Sequence, residues 1–226
     1  MNTFQKVIKY VALAFGIALA IAIIEFGLNI GYIVLQSTNL IHNNTKISNV
    51  NFGDYSSYLD IDLKVANLVI KRGDTLRYET NINGLASEQE NNKLSIKDTS
   101  SNIFRFNNNY ITLYVPDNII FDKVVINMGV GELEVDDVSL NNAEFKLGVG
   151  EANIRFNLSG NTKIDCGVGE VNLDLSYKEE DYTFKLDKGI GEINVNNKSY
   201  GNTTFGNGKN YIDIDGGIGE INIKTR

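Results

Sequence analysis

The tetrapeptide Gly-(Val/Ile)-Gly-Glu occurs five times, at Gly129, Gly148, Gly167, Gly189 and Gly217, with successive copies 19, 19, 22 and 28 residues apart. The second glycines are Gly131, Gly150, Gly169, Gly191 and Gly219. A motif repeated at this short period implies stacked units, because a piece of about 19 residues cannot bury its own apolar face. Three residues before the first glycine stand Ile126, Phe145, Ile164, Leu186 and Ile214; one after it stand Val130, Val149, Val168, Ile190 and Ile218. Further apolar pairs follow four and six residues after it, as in Val171 with Leu173. Both flanks alternate with the period of two of a half-buried strand.

The alternation slips by one residue across the motif. In a straight strand that slip would turn every later side chain to the wrong face, so the glycines are expected to form a bulge or corner that restores the facing. Stacking such units predicts an all-β fold, a β-solenoid or β-roll whose Ile, Val, Leu and Phe run as internal ladders, with the corners as a seam. Glu132, Glu151, Glu170, Glu192 and Glu220 would then stand one above the next, and the residues two further on, Glu134, Asn153, Asn172, Asn194 and Asn222, would form a ladder of side-chain amides.

Alternating segments also precede the repeats. Tyr58 to Ile70, Leu76 to Ile82, Lys93 to Lys97 and Tyr110 to Val115 are read as strands of an N-terminal β cap, covering the edge that the first repeat would otherwise expose. Repeats begin at about residue 121, and residues 51–226 are read as one folded unit. Two insertions lengthen the later repeats, at 177–182 and 197–210. Tyr177, Tyr182, Tyr200 and Phe205 cluster there and are candidate contacts for a glycan or protein partner; packing of the insertions onto the solenoid is the alternative.

Residues 10–24 carry no charge, and the apolar run from 7 to 30 is long enough for one membrane-spanning helix, with Lys9 reaching back to one surface. Lys6 and Lys9 precede it and no Lys or Arg follows until Lys46, so residues 1–6 are expected in the cytoplasm and the rest outside. Residues 31–50 form a polar juxtamembrane spacer in this reading. A cleaved secretory signal, with Ala18-Leu19-Ala20 as its processing site, is the competing one.

The net charge of -7 and the lack of any basic run argue against a nucleic-acid partner. One His, His42, and one Cys, Cys166, leave no His-rich metal site, Cys cluster or internal disulfide to build. The Gly-x-Gly pairs are no dinucleotide fingerprint, since they recur five times and no helix follows, so no cofactor is expected. Stacked corner glutamates would repel one another, and water, a bound cation such as calcium or partial protonation must relieve them. Solvated, structurally neutral glutamates with no metal are the expectation, and Glu132, Glu151, Glu170, Glu192 and Glu220 are the candidates for the calcium alternative, which Gly-x-Gly-Glu at this period matches poorly.

A single N-terminal span, alternating strands ending in Tyr114-Val115-Pro116, and repeated Gly-x-Gly-Glu corners about 20 residues apart resemble the bacterial putative-adhesin domain of unknown function, grouped with the toast-rack domains. The resemblance covers roughly residues 50–226. It implies a β-solenoid outside a bacterial membrane, a setting in which several such domains belong to envelope-stress systems. The family carries no established catalytic residues, so none transfers, and this chain has Glu where many relatives have Asp. A non-catalytic, membrane-anchored binding or sensing module is expected, with an adhesive or cell-wall-binding module as the alternative.

Overall fold

A computed structural model describes residues 48–53, 56–100 and 109–226, with backbone alone for 156–158. The segments expected to be the cytoplasmic tail and membrane helix, 1–6 and 7–30, lie outside the described residues, as does most of the spacer. Among the described residues no helix is long and apolar enough to cross a membrane.

The strands in chain order are β1 (Ser48–Asn51), β2 (Tyr58–Val65), β3 (Asn67–Arg72), β4 (Arg77–Thr80), β5 (Leu85–Glu90), β6 (Lys93–Asp98), β7 (Tyr110–Val115), β8 (Lys123–Asn141), β9 (Ala143–Ser159) and β10 (Asn161–Leu175). A single 3-10 turn (Glu179–Asp181) follows, then β11 (Tyr182–Asp187), β12 (Ile190–Val195), β13 (Lys198–Tyr200), β14 (Thr203–Gly206) and β15 (Asn210–Lys224). β1 pairs antiparallel with β4, so Ser48 to Val50, within the stretch read as spacer, are part of the sheet.

The long strands stack parallel and in register as rungs, each with a first arm, a glycine corner and a second arm. The stacking order is β8, β9, β10, β15 and then β11 with β12. Chain order would place the fourth repeat directly on the third. Instead the C-terminal strand β15 inserts between β10 and the β11–β12 rung. β13 and β14, which the sequence leaves as an insertion, pair antiparallel with β12 and β11 and close that end.

The other end is reached in a different order. β2 and β3 pair with the first and second arms of β8, while β6 and β7 pair in turn with β2 and β3. These four strands, expected as a cap, are two further rungs. Tyr58 to Ile70 is interrupted at Ala66 because a corner falls there. Capping is left to β5 on β6 and β4 on β7, both antiparallel. At the β11–β12 end the chain builds the outermost rung and returns to fill the position inside it. At the other end it lays down β2 and β3, adds β6 and β7 outside them and returns to β8 on their inner side. At both ends antiparallel strands rather than bare rungs meet the solvent.

The core consists of ladders running through the stack. One links Ile96, Ile61, Ile126, Phe145, Ile164, Ile214 and Leu186 on the first arm, all at 2% exposure or less. On the second arm Leu68, Leu133, Ala152, Val171, Ile221 and Ile193 stand in register. Each such aliphatic side chain contributes about 1.5–3 kcal/mol on burial.

Candidate functional site

The corner is built by its glycines. In each repeat the second one adopts φ between +142° and +151°, a region that L-residues avoid. A Cβ on it would also fall far inside van der Waals contact with a backbone carbonyl oxygen of the adjacent rung; for Gly169 that oxygen is on Gly150. The first glycines, such as Gly148 against the Gly129 carbonyl, are excluded from bearing a side chain by the same close approach without an unusual φ. Strand spacing of about 4.8 Å brings identical corners so near that only hydrogen fits.

A sixth corner, without glycine, lies in the rung of β2 and β3. Val65 pairs with Val130 and Leu68 with Leu133, which sets Lys64-Val65-Ala66-Asn67 against Gly129 to Glu132. On the side of β6 and β7, strand pairing stops at Asp62 with Lys97 and resumes at Asn67 with Tyr110. Among the described residues the corner is met on that side by Lys64 Nζ donating to the Ser100 carbonyl and by the Asn67 amide donating to the Asn109 carbonyl. Absence of the Gly-x-Gly signature hid this rung from the sequence; the Leu59-x-Ile61-x-Leu63 and Leu68-x-Ile70 spacing was the available signal.

The residue between the two glycines is turned outward. Val130, Val149, Val168, Ile218 and Ile190 are 46%, 50%, 44%, 51% and 67% exposed. The expected internal ladder at this position is therefore an external one. The corner restores the facing of the arms by leaving this one residue on the outer side of the bend.

Beside it run the glutamates, stacked in the order Glu132, Glu151, Glu170, Glu220, Glu192. Relief of their repulsion comes from the amide ladder. Asn194 Nδ2 donates to Asn222 Oδ1 at 3.2 Å, Asn222 Nδ2 to Asn172 Oδ1 at 3.3 Å and Asn172 Nδ2 to Asn153 Oδ1 at 3.1 Å. The same amides also donate to carboxylates: Asn153 to Glu151 at 2.7 Å, Asn172 to Glu170 at 3.0 Å and Asn194 to Glu220 at 3.3 Å. In the sixth corner Asn67 Nδ2 reaches Glu132 Oε2 at 3.4 Å. Among the described residues no group of three or more His, Cys, Asp or Glu side chains is placed to hold a metal ion. The five candidate carboxylates form a line, one per rung, and not a cage.

The aromatic candidates are joined through Phe184 in a chain of ring contacts: Tyr177 to Tyr182 at 6.2 Å between centroids, Tyr182 to Phe184 at 5.7 Å, Phe184 to Phe205 at 5.1 Å and Phe205 to Tyr200 at 4.5 Å. Tyr182 is fully buried and so is removed from the set of surface contacts. Burial pushes its hydroxyl up to about 12. Tyr200 and Phe205 stack nearly parallel against the core edge, whereas Tyr177 is 42% exposed. Cys166 is buried, and desolvation pushes its thiol above the ordinary value, as fits a packed residue and not a reactive one.

Two shallow grooves lie on the arms. One of about 170 Å3 follows the second arm past Glu134, Asn153, Asn172 and Asn222. Another of about 320 Å3 crosses the first arm at Lys123, Glu144, Lys163, Tyr211 and Asp213, where Lys146 beside Glu144 holds that carboxyl below its usual range. The charges there alternate between rungs and partly neutralise one another, as in Lys185 with Asp213 at 3.1 Å.

A family model described as Toastrack DUF4097 matches residues 56–225. Among solved structures, a putative cell adhesion protein from Clostridium sporogenes is 22% identical and has the same fold, with a TM-score of 0.57 over 80% of this chain and 99% of that one. A putative adhesin from Bacteroides fragilis is 13% identical at a TM-score of 0.36, covering 82% of this chain and 100% of its own. A putative lipid binding protein from Parabacteroides distasonis is 13% identical at 0.24, covering 79% and 93%. No curated protein matches.

Proposed function

Because the chain belongs to the Toastrack DUF4097 family, we propose that it is a non-catalytic binding or sensing module of a bacterial cell envelope, held outside the membrane by a helix over residues 7–30. The observation that carries the binding reading is the corner seam. Glycine-locked backbone presents the same side chains from rung after rung, in a line that thermal motion of a loop would not preserve. Such a surface suits recognition of an elongated partner. A role in envelope-stress response is the finer form of this proposal, and it rests on the family resemblance.

Adhesion is the second reading. It is favoured by the fold shared with the Clostridium sporogenes protein, and the amide-lined groove at Asn153, Asn172 and Asn222 offers polar groups to a glycan. Cells carrying the full chain with a C-terminal tag after Arg226 distinguish the possibilities. Protease added to intact cells should remove the tag, and protection of the tag would overturn the orientation. Crosslinking in the same cells should then recover a membrane protein, while retention on isolated cell wall with no crosslinked protein would favour adhesion.

A further inference from the structure

We propose that the corner seam docks a cationic amphipathic helix of a partner protein, its apolar stripe on the Val/Ile ladder and its Lys or Arg side chains on the flanking carboxylates. This deepens the binding-module reading and rests on it. Five aliphatic side chains, each 44–67% exposed, stand side by side on adjacent rungs. Together they approach the few hundred Å2 of contiguous apolar surface at which a patch on a folded protein marks an interaction site.

Charge selects the partner. On one side of the ladder run Glu132, Glu151, Glu170, Glu220 and Glu192. On the other, the residues in register two positions before the first glycine are Asn127, Lys146, Asp165, Asp215 and Asp187. The three rungs of β10, β15 and β11–β12 thus carry carboxylates on both sides of Val168, Ile218 and Ile190. Lys146 is held by Glu144 at 2.9 Å, which leaves Lys188 as the cation adjoining these three corners. An anionic lipid surface or the same acidic corner of a second copy would meet like charge, whereas a basic partner meets its complement.

Spacing selects the helix. Rungs repeat every ~4.8 Å, so five corners span about 19 Å along the stack. An α-helix presents one stripe residue per turn of ~5.4 Å, and over four turns the two repeats drift apart by only about 2.4 Å. An extended strand lying along the same seam repeats one face every ~6.7 Å and loses register within two rungs. Packing of one apolar helical stripe along this ladder, with charged margins on both sides, follows from this match.

The test uses the full chain in nanodiscs of zwitterionic lipid, with empty nanodiscs as the blank. The probes are a fluorescent 14-residue Leu/Lys helix with its leucines in one stripe, a scrambled peptide of the same composition, and a Leu/Glu helix with the same stripe. Saturable binding of the first, at least tenfold tighter than either control and weakening as salt rises, is expected. Ile190→Ser with Ile218→Ser should weaken it at least tenfold, and these side chains face solvent, so folding should persist. Glu170→Gln with Glu220→Gln should weaken it and flatten the salt dependence whatever the isoleucine variants do. Equal binding of all three peptides, or unchanged binding by both double variants, would overturn the proposal. So would self-association of the wild type that Ile190→Ser with Ile218→Ser abolishes, since a second copy would then be the occupant. A crosslinked partner on intact cells together with no binding of the Leu/Lys helix would sink this inference alone and leave the binding-module reading standing.

Discussion

Glu170 pairs in register with Glu220, and Glu192, the next corner glutamate along the chain, stacks on the far side of Glu220. The last strand of the protein is therefore an interior rung, with β10 on one side and β11 and β12 on the other. That position makes β15 a structural keystone.

Ending the chain at Lys209 removes β15 and with it the inner partner of β11 and β12. Hydrogen exchange should show the amides of Tyr182–Asp187 and Ile190–Val195 losing protection together, while β8 and β9 remain slow. Retained protection of those amides would mean that β11 and β12 can stack directly on β10 in chain order.

Gly169→Ala places a Cβ against the Gly150 carbonyl at a φ of +147°. The backbone strain alone costs about 1–3 kcal/mol, and the carbonyl contact adds to it, so a loss of about 3 kcal/mol or more is expected in chemical denaturation. Gly201→Ala is the matched control, because nothing lies within 4 Å of its added Cβ. It should change stability by less than about 0.5 kcal/mol.

Glu151→Gln with Glu170→Gln keeps an oxygen acceptor for the Asn153 and Asn172 amides and removes two like charges from the line. A gain of a few tenths of a kcal/mol at low salt is expected, fading as salt rises. Asn172→Ala, which breaks the amide ladder in its middle, should instead cost about 1 kcal/mol. Calcium at millimolar concentration should move the Tm no more than magnesium does. A saturable calcium-specific rise that the double variant lacks would restore the corner glutamates as a metal site through binding linkage.

Tyr182 sets the alkaline limit. Its folded pKa of about 12 lies above the ordinary 10 of the unfolded chain, so the folded state holds the proton more tightly. Its contribution is complete below pH 10 and is lost as pH rises from 10 through 12, by roughly 2–3 kcal/mol in all. Lys93, Lys146 and Lys185 also have raised pKa values through their carboxylate partners and add to the same decline. Tyr182→Phe should remove only the tyrosine share, making the denaturation midpoint fall less steeply above pH 10 than in wild type.

Corners and arms were legible in the residues because each depends on neighbours close in sequence, and the members of the amide ladder were legible because the same position recurs in each repeat. Alternation with a period of two identifies the arms, and a doubled glycine at the slip identifies the corner. The outward turn of Val130, Val149, Val168, Ile218 and Ile190 was not legible, since an aliphatic residue in an alternating pattern reads as core and only the bend geometry decides its side. Burial of Tyr182 was hidden for a related reason: it opens a strand that lies under β14, and the sequence marked that region only as an insertion.

The sequence by itself determined that this chain folds from repeated corner units with glycine at the bend, because no other residue fits the φ and the carbonyl approach there. It also determined which ladders lie inside the arms. Only the tertiary structure decided the order in which the rungs stack. Parallel rungs with the same apolar spacing pair almost equally well with one another, so local pattern does not distinguish Glu192 from Glu220 as the neighbour of Glu170. The choice falls to a non-local condition, the need to cover each open edge. β13 and β14 can cap β12 and β11 only if those strands are outermost, and the returning C-terminal strand then takes the place inside them.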